Sequence, residues 1–126
     1  FFKQKTAYEI LGYLSNNYHM HIITNGFKEV QYKKIRNSNL EKYFDKIIIS
    51  EEIGYKKPDK NFFKYSLEKA NTTSDESIVI GDDLNVDIIG AKNADIDQIF
   101  FNNNKIPHKE KITYEINSLL ELKEIL

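Results

Sequence analysis

Three short runs of β-branched residues set the frame: Ile22-Ile23, Ile47-Ile48-Ile49 and Ile78-Val79-Ile80. Each is followed by small or polar residues, and stretches of helical spacing separate them. A strand with one face in water alternates apolar and polar side chains. A strand buried on both faces reads as a continuous apolar run. The chain is therefore expected to be α/β, with a parallel sheet covered by helices on both faces.

The segments between the runs agree. Ala7, Ile10, Leu11 and Leu14 have the spacing of an amphipathic helix over about 4–17. The run from Met20 to Thr24 stops at Asn25-Gly26, a breaker pair. A helix is expected from Phe27 to about Ser38, with Phe27, Val30 and Ile35 inward. A strand should follow over 46–50, then a loop from Glu51 to Pro58. Asp59 is placed to cap a helix that buries Phe62, Phe63, Leu67 and Ala70. Further on come a strand over 77–81, a helix from Asn85 to Ala94 with Val86, Ile89 and Ala94 inward, and strands over 98–101 and 112–116. A last helix is capped by Asn117 or Ser118. Asn102 to Lys105 reads as a plain polar loop.

Composition narrows the function classes. With 18 basic and 19 acidic residues the formal charge is −1, which gives no electrostatic case for nucleic acid or an anionic membrane as partner. No apolar run reaches the ~20 residues that span a bilayer. There is no cysteine, so disulfides, thiolate metal sites and a Cys nucleophile are excluded, and a cytoplasmic setting is expected. The chain begins at Phe1 and its one methionine is Met20, so residues 1–126 are expected to be a piece of a longer protein.

Three polar clusters each follow a strand: Thr24-Asn25-Gly26, Lys57-Pro58-Asp59, and Gly81-Asp82-Asp83 with Asp87. Ligand sites of open parallel sheets lie at the carboxyl ends of the strands, so all three should face one crevice. Asp82, Asp83 and Asp87 are hard oxygen donors of the kind that suit magnesium. The plainer alternative is that Asp83 or Asp87 caps the following helix. The Thr24 hydroxyl and the backbone N–H groups of Asn25 and Gly26 suit a phosphate oxygen, although Asn-Gly also serves as an ordinary turn. Lys57 supplies a fixed charge. Lys56 competes for that role, and Pro58 stiffens the backbone in favour of Lys57. His19, His21 and His108 have no third ligand at metal spacing and read as structural or surface residues.

Residues 22–26, 54–59 and 81–91 resemble motifs II, III and IV of the haloacid-dehalogenase (HAD) superfamily. They stand in the same order, with 33 positions from Thr24 to Lys57 and 25 from Lys57 to Asp82. The resemblance runs from about Ala7 to the C-terminus. It implies a three-layer Rossmann-like core, of which residues 1–126 form the C-terminal portion. It also implies a magnesium-dependent phosphate-monoester hydrolase acting through an aspartyl-phosphate. Thr24 would bond the transferring phosphoryl group and Lys57 would neutralise charge. Asp82 would hold Mg2+, Asp87 would ligate or support it, and Asp83 is the less certain ligand. Asn25 and Gly26 would contribute loop contacts. The wording looks most like the pyrimidine 5′-nucleotidase and acylneuraminate 9-phosphatase branch, so the expected partner is a small phosphorylated metabolite such as a nucleoside monophosphate. Asp95 stands where relatives usually carry Gly, at a turn that Asp tolerates.

No Asp-x-Asp motif I precedes Thr24, so the nucleophile strand and the cap domain are expected to be missing, and the chain alone to be inactive. The strands ending at Thr24 and Gly81 would then lose the neighbour between them. Direct pairing across the gap, self-association through the exposed edges, or capture of another segment should follow. Competing readings are a 2-haloacid dehalogenase, a sugar-phosphate mutase of the same fold, and a degenerate non-catalytic binding domain. Paired acids at 82 and 83 favour phosphate chemistry over dehalogenation. Lys57 lying before Asp82 argues against a receiver domain.

Overall fold

The computed structural model describes residues 4–126, and strands and helices alternate along them. In chain order they are α1 Gln4–Leu14, β1 His21–Thr24, α2 Lys28–Ser38, β2 Lys46–Ile49, α3 Ser50–Ile53, α4 Lys60–Lys69, β3 Ile78–Gly81, α5 Gly90–Asn93, β4 Asp97–Phe101, β5 Tyr114–Ile116 and α6 Leu122–Ile125. Every strand pair is parallel: β1 with β2, and β3 with β4 with β5. The α/β class read from the apolar runs is the one observed.

The parallel strands fall into two sheets. β1 and β3 do not pair with each other, so direct pairing across the gap is not the outcome. Both strands are edges, and their burial reflects it. Every residue of β1 is only half-buried, and Ile80, inside an apolar run, is 39% exposed.

Helices hold the two sheets together. Neighbouring strand residues point to opposite faces, and Ile78 and Val79 accordingly join different cores. Ile78 packs with Ile10 and Leu14 of α1, Ile99, Ile116 and Leu122. Val79 packs with Ile48, Phe62, Phe63, Ala91 and Ile96. Thus α1 and α6 cover one face while α4 and α5 cover the other, giving three layers. The second core also takes Ile23 and Ile48 from the β1–β2 sheet, so it spans the divide. At its centre Phe62 and Phe63 are fully buried, their rings edge to face with centroids 5.6 Å apart. Burying each is worth about 1.5–3 kcal/mol.

Local departures from the expected elements have physical causes. Phe27 and Val30 are exposed and only Ile35 of α2 is buried. Polar contacts fix that helix instead, with Tyr32 donating to Glu52 and Gln31 to the Asn25 carbonyl. The expected loop after β2 begins as the helical turn α3, closed by Gly54 at φ 80°, a left-handed position that glycine takes without a Cβ penalty. The helix expected at 85–94 begins as a π-helical turn, Leu84–Ile89. The Asp83 carbonyl accepts from both Asp87 and Ile88, and in this wider register Asp87, Ile88 and Ala91 are buried while Val86 and Ile89 are only half-buried; Ala94 packs against the second core as expected.

His21, Asn102 and His108 make contacts within the fold. His21 Nδ1 accepts the Lys46 N–H at 3.2 Å. Burial holds this imidazole below its usual pKa, opposed by the nearby Asp45 carboxylate. Asn102, expected to be a plain loop residue, is buried and organises residues 102–117. It exchanges hydrogen bonds with Ile106 and donates to Glu115. His108 Nε2 meets Glu115 at 2.6 Å while its Nδ1 accepts the Glu110 N–H. The His108 bond holds the Glu115 carboxyl below the usual range. Ser118 caps the closing helix in a reciprocal box with Glu121. Among the described residues no helix is long and apolar enough to cross a membrane.

Candidate active site

The carboxyl ends of β1 and β3 are joined by one side chain. Lys57, on the loop between α3 and α4, extends its ammonium to Asp87 Oδ1 at 2.6 Å and to the Ile23 carbonyl at 3.1 Å. The two side chains are 11% and 12% exposed, so the pair is largely withdrawn from water. A short, charge-assisted bond in such surroundings fixes the position of the charge. Lys56 next door is exposed, so of the two lysines Lys57 is the one held between the strand ends.

Asp87 reaches Lys57 because the π-helical turn folds it back over Gly81. A Cβ at position 81 would lie 2.5 Å from Asp87 Cβ, so only glycine leaves room. The other Asp87 oxygen accepts the Asp83 N–H at 3.3 Å. Gly90 serves the same packing: a Cβ there would meet the Phe63 ring at 2.6 Å and Pro58 Cα at 3.1 Å. Neither need can be read from sequence spacing. The Lys57-Pro58 peptide is cis.

The remaining residues divide by what they already hold. Thr24 is half-buried at the end of β1, and among the described residues its hydroxyl makes only a long 3.4 Å bond to the Asn25 carbonyl. The Asn25 side chain turns to the Lys57 backbone. The Gly26 N–H, expected for a phosphate oxygen, is donated to Ser50 Oγ at 2.9 Å. Ser50 has no motif signal and is found only through this contact. Gly26 sits at φ 144°, a conformation open to glycine.

The three carboxylates do not form one nest. Asp83 Oδ1 accepts from Asn85 and Val86 at 3.1 and 2.9 Å, the capping role weighed from the sequence. Asp87 faces Lys57. Asp82 is exposed at the end of β3. Among the described residues no three His, Cys, Asp or Glu side chains gather closely enough to hold a metal. Magnesium takes one or two protein carboxylates, with substrate oxygens and waters completing its shell. Asp82 suits that demand. Asp83 is engaged as a cap through Oδ1, and Asp87 is engaged by Lys57. A hollow of about 660 Å³, lined by Ser15, Tyr18, His19, Lys42 and Asp45 among others, opens at the amino ends of β1 and β2, away from all of these residues.

Residues 4–101 match the haloacid dehalogenase-like hydrolase family. The chain belongs to that family. Its HAD relatives include the hydrolase YfnB of Bacillus subtilis, 37% identical over 123 residues, which cover 95% of this chain and 52% of YfnB. The pyrimidine 5′-nucleotidase YjjG of Escherichia coli is 36% identical, over 95% of this chain and 55% of its own length. The crystal structure of magnesium-bound YfnB superimposes with a TM-score of 0.90 at 34% identity, over 96% of this chain and 54% of YfnB. A HAD phosphatase from Thermococcus onnurineus superimposes with a TM-score of 0.89 at 30% identity, over 95% and 56%. The chain thus spans about half the length of these relatives.

Proposed function

We propose that the intact protein is a magnesium-dependent hydrolase of small phosphate monoesters, with a nucleoside monophosphate as one candidate substrate and the cytoplasm as its setting. The observation that carries this reading is the largely buried Lys57 ammonium, pinned by Asp87 between the ends of β1 and β3. Phosphoryl transfer asks mainly for positioned charge and hydrogen-bond donors around three oxygens. Lys57 supplies the charge and Thr24 a donor hydroxyl. Asp82 would hold the magnesium ion, which when bound neutralises charge on the phosphoryl oxygens. A magnesium-bound HAD relative, a HAD phosphatase and a nucleotidase among the relatives support the reading.

The nucleophile is assigned to an aspartate outside residues 1–126. Its carboxylate oxygen bonds to phosphorus as the ester P–O bond breaks, and a second acid protonates the leaving alcohol. Water, giving its proton back to that second acid, then attacks phosphorus as the acyl-phosphate O–P bond breaks, leaving inorganic phosphate and the free carboxylate. Lys57 balances the negative charge in both steps, and Thr24 holds a phosphoryl oxygen.

Turnover of p-nitrophenyl phosphate and a panel of nucleoside monophosphates by the intact protein tests this. EDTA should abolish it, and Asp82→Asn should lower it by about 10²–10³-fold, as loss of metal-borne charge stabilisation implies. Metal-independent release of halide from 2-haloacids, with no phosphate release, would sink the proposal. Residues 1–126 alone should give no turnover and should self-associate through the open edges of β1 and β3, as seen by light scattering.

A further inference from the structure

We infer that Asn25 is a positioning residue: its side-chain amide holds the backbone of Lys57, and so sets where the lysine ammonium sits, instead of contacting a ligand. The catalytic consequence rests on the phosphatase reading above, but the structural assignment does not.

Two reciprocal bonds define the contact. Asn25 Nδ2 donates to the Lys57 carbonyl at 3.0 Å, and the Lys57 N–H donates to Asn25 Oδ1 at 2.8 Å. The amide pairs with this peptide as one strand pairs with another, and the two contacts together settle which way the amide faces. Both partners lie in chain segments that lack a ladder of their own, at the end of β1 and in the loop before α4. No other standard side chain presents a donor and an acceptor at this reach. Aspartate offers two acceptors and would set a carboxylate against the Lys57 carbonyl. Glutamine carries its amide one methylene farther out.

The clamp is itself anchored. The Asn25 carbonyl accepts from Gln31 of α2 at 3.0 Å, and the next residue, Gly26, is tied to Ser50. The turn at 24–26 is therefore fixed on one side by α2 and α3, and on the other it fixes Lys57. A lysine side chain has four rotatable bonds, so its two acceptors, Asp87 and the Ile23 carbonyl, can hold its end in place only if its Cα is already set. Asn25 sets it, and Thr24 and Lys57 become one rigid unit although 33 positions separate them.

The test uses the intact protein and the 15N resonance of the Lys57 ammonium, assigned by its loss in Lys57→Arg. In the unaltered protein this resonance should be sharp. It should broaden or vanish in both Asn25→Ala and Asn25→Asp while the backbone amide spectrum stays folded. An unchanged Lys57 ammonium resonance in both folded variants overturns the assignment. Should the variants not fold, hydrogen exchange in the unaltered protein decides: a slowly exchanging Lys57 N–H supports the clamp, and one exchanging as fast as an open loop overturns it. In the p-nitrophenyl phosphate assay, Asn25→Asp should lower kcat by about 100-fold, the usual cost of a misplacement near 1 Å, with a much smaller change in KM. An unaltered kcat overturns the catalytic role. A protein that never turns over phosphate esters removes the proposed function and leaves the resonance and exchange results to decide on the clamp.

Discussion

Replacing Lys57 with methionine should abolish phosphate-ester turnover by the intact protein and cost it about 3–5 kcal/mol of stability, the usual result of removing one partner from a buried pair. Methionine keeps much of the lysine stem and loses the charge. Asp87, only 8% exposed, is then left without a counter-ion, and the Ile23 carbonyl loses its donor. The stability cost comes from that stranded carboxylate more than from the attraction itself. It follows that the double change Lys57→Met with Asp87→Leu should recover most of the lost stability, because two apolar groups can replace a desolvated pair. It should not recover turnover, because the charge at the ends of the strands is still gone. Denaturant unfolding of the two single variants and the double variant, read as a cycle, measures the coupling. A loss below about 0.5 kcal/mol for Lys57→Met would mean that water screens the pair as it does at a surface, and the site would lose its fixed charge.

The sequence made some of this architecture legible and hid the rest for identifiable reasons. The strands were readable because a doubly covered strand must be apolar throughout, and Ile47-Ile48-Ile49 and Ile78-Val79-Ile80 satisfy that locally. Asp59 was readable as a cap, and Ser118 as one of two candidates with Asn117, because a cap acts on residues two or three positions away. The π-helical turn at Leu84–Ile89 was not, since its register is set by where Asp87 must go, over Gly81 and toward Lys57, and that destination lies 30 positions back along the chain. Phe27 and Val30 look like core residues by spacing, yet they stay 71% and 48% exposed. In the site, Thr24, Lys57 and Asp82 could be singled out by residue type and by their place after strands. The clamp from Asn25 could not, because Asn-Gly carries an equally good local meaning as a turn. The division of the sheet between β1 and β3 is where the expected neighbour strand would lie. Its visible sign is a half-exposed isoleucine in a run that otherwise reads as core.

Gly81→Ala should be nearly as damaging to turnover as Lys57→Met, about 100-fold or more, although it adds one methyl group and removes no charge. The new Cβ would lie 2.5 Å from Asp87 Cβ and 2.6 Å from Asp87 Oδ2. A carboxylate oxygen can swing away, but a Cβ is fixed to its backbone, so the π-helical turn must shift as a body. That shift carries Asp87 off the Lys57 ammonium and frees the lysine to sample other rotamers. Overpacking of this kind costs about 1–3 kcal/mol, less than stranding the carboxylate, because the displaced Asp87 gains access to water. Stability and turnover should therefore separate: a modest fall in the first and a large fall in the second. Gly12→Ala is the matched control. It lies within α1 with no other described residue within 4 Å of the added Cβ, apart from the helix's own backbone, so alanine there should stabilise the helix by about 0.5–1 kcal/mol and leave turnover alone. If Gly81→Ala and Gly12→Ala prove equally active, Asp87 does not need to stand over residue 81, and the Lys57 charge is held in place by something other than the fold of that turn.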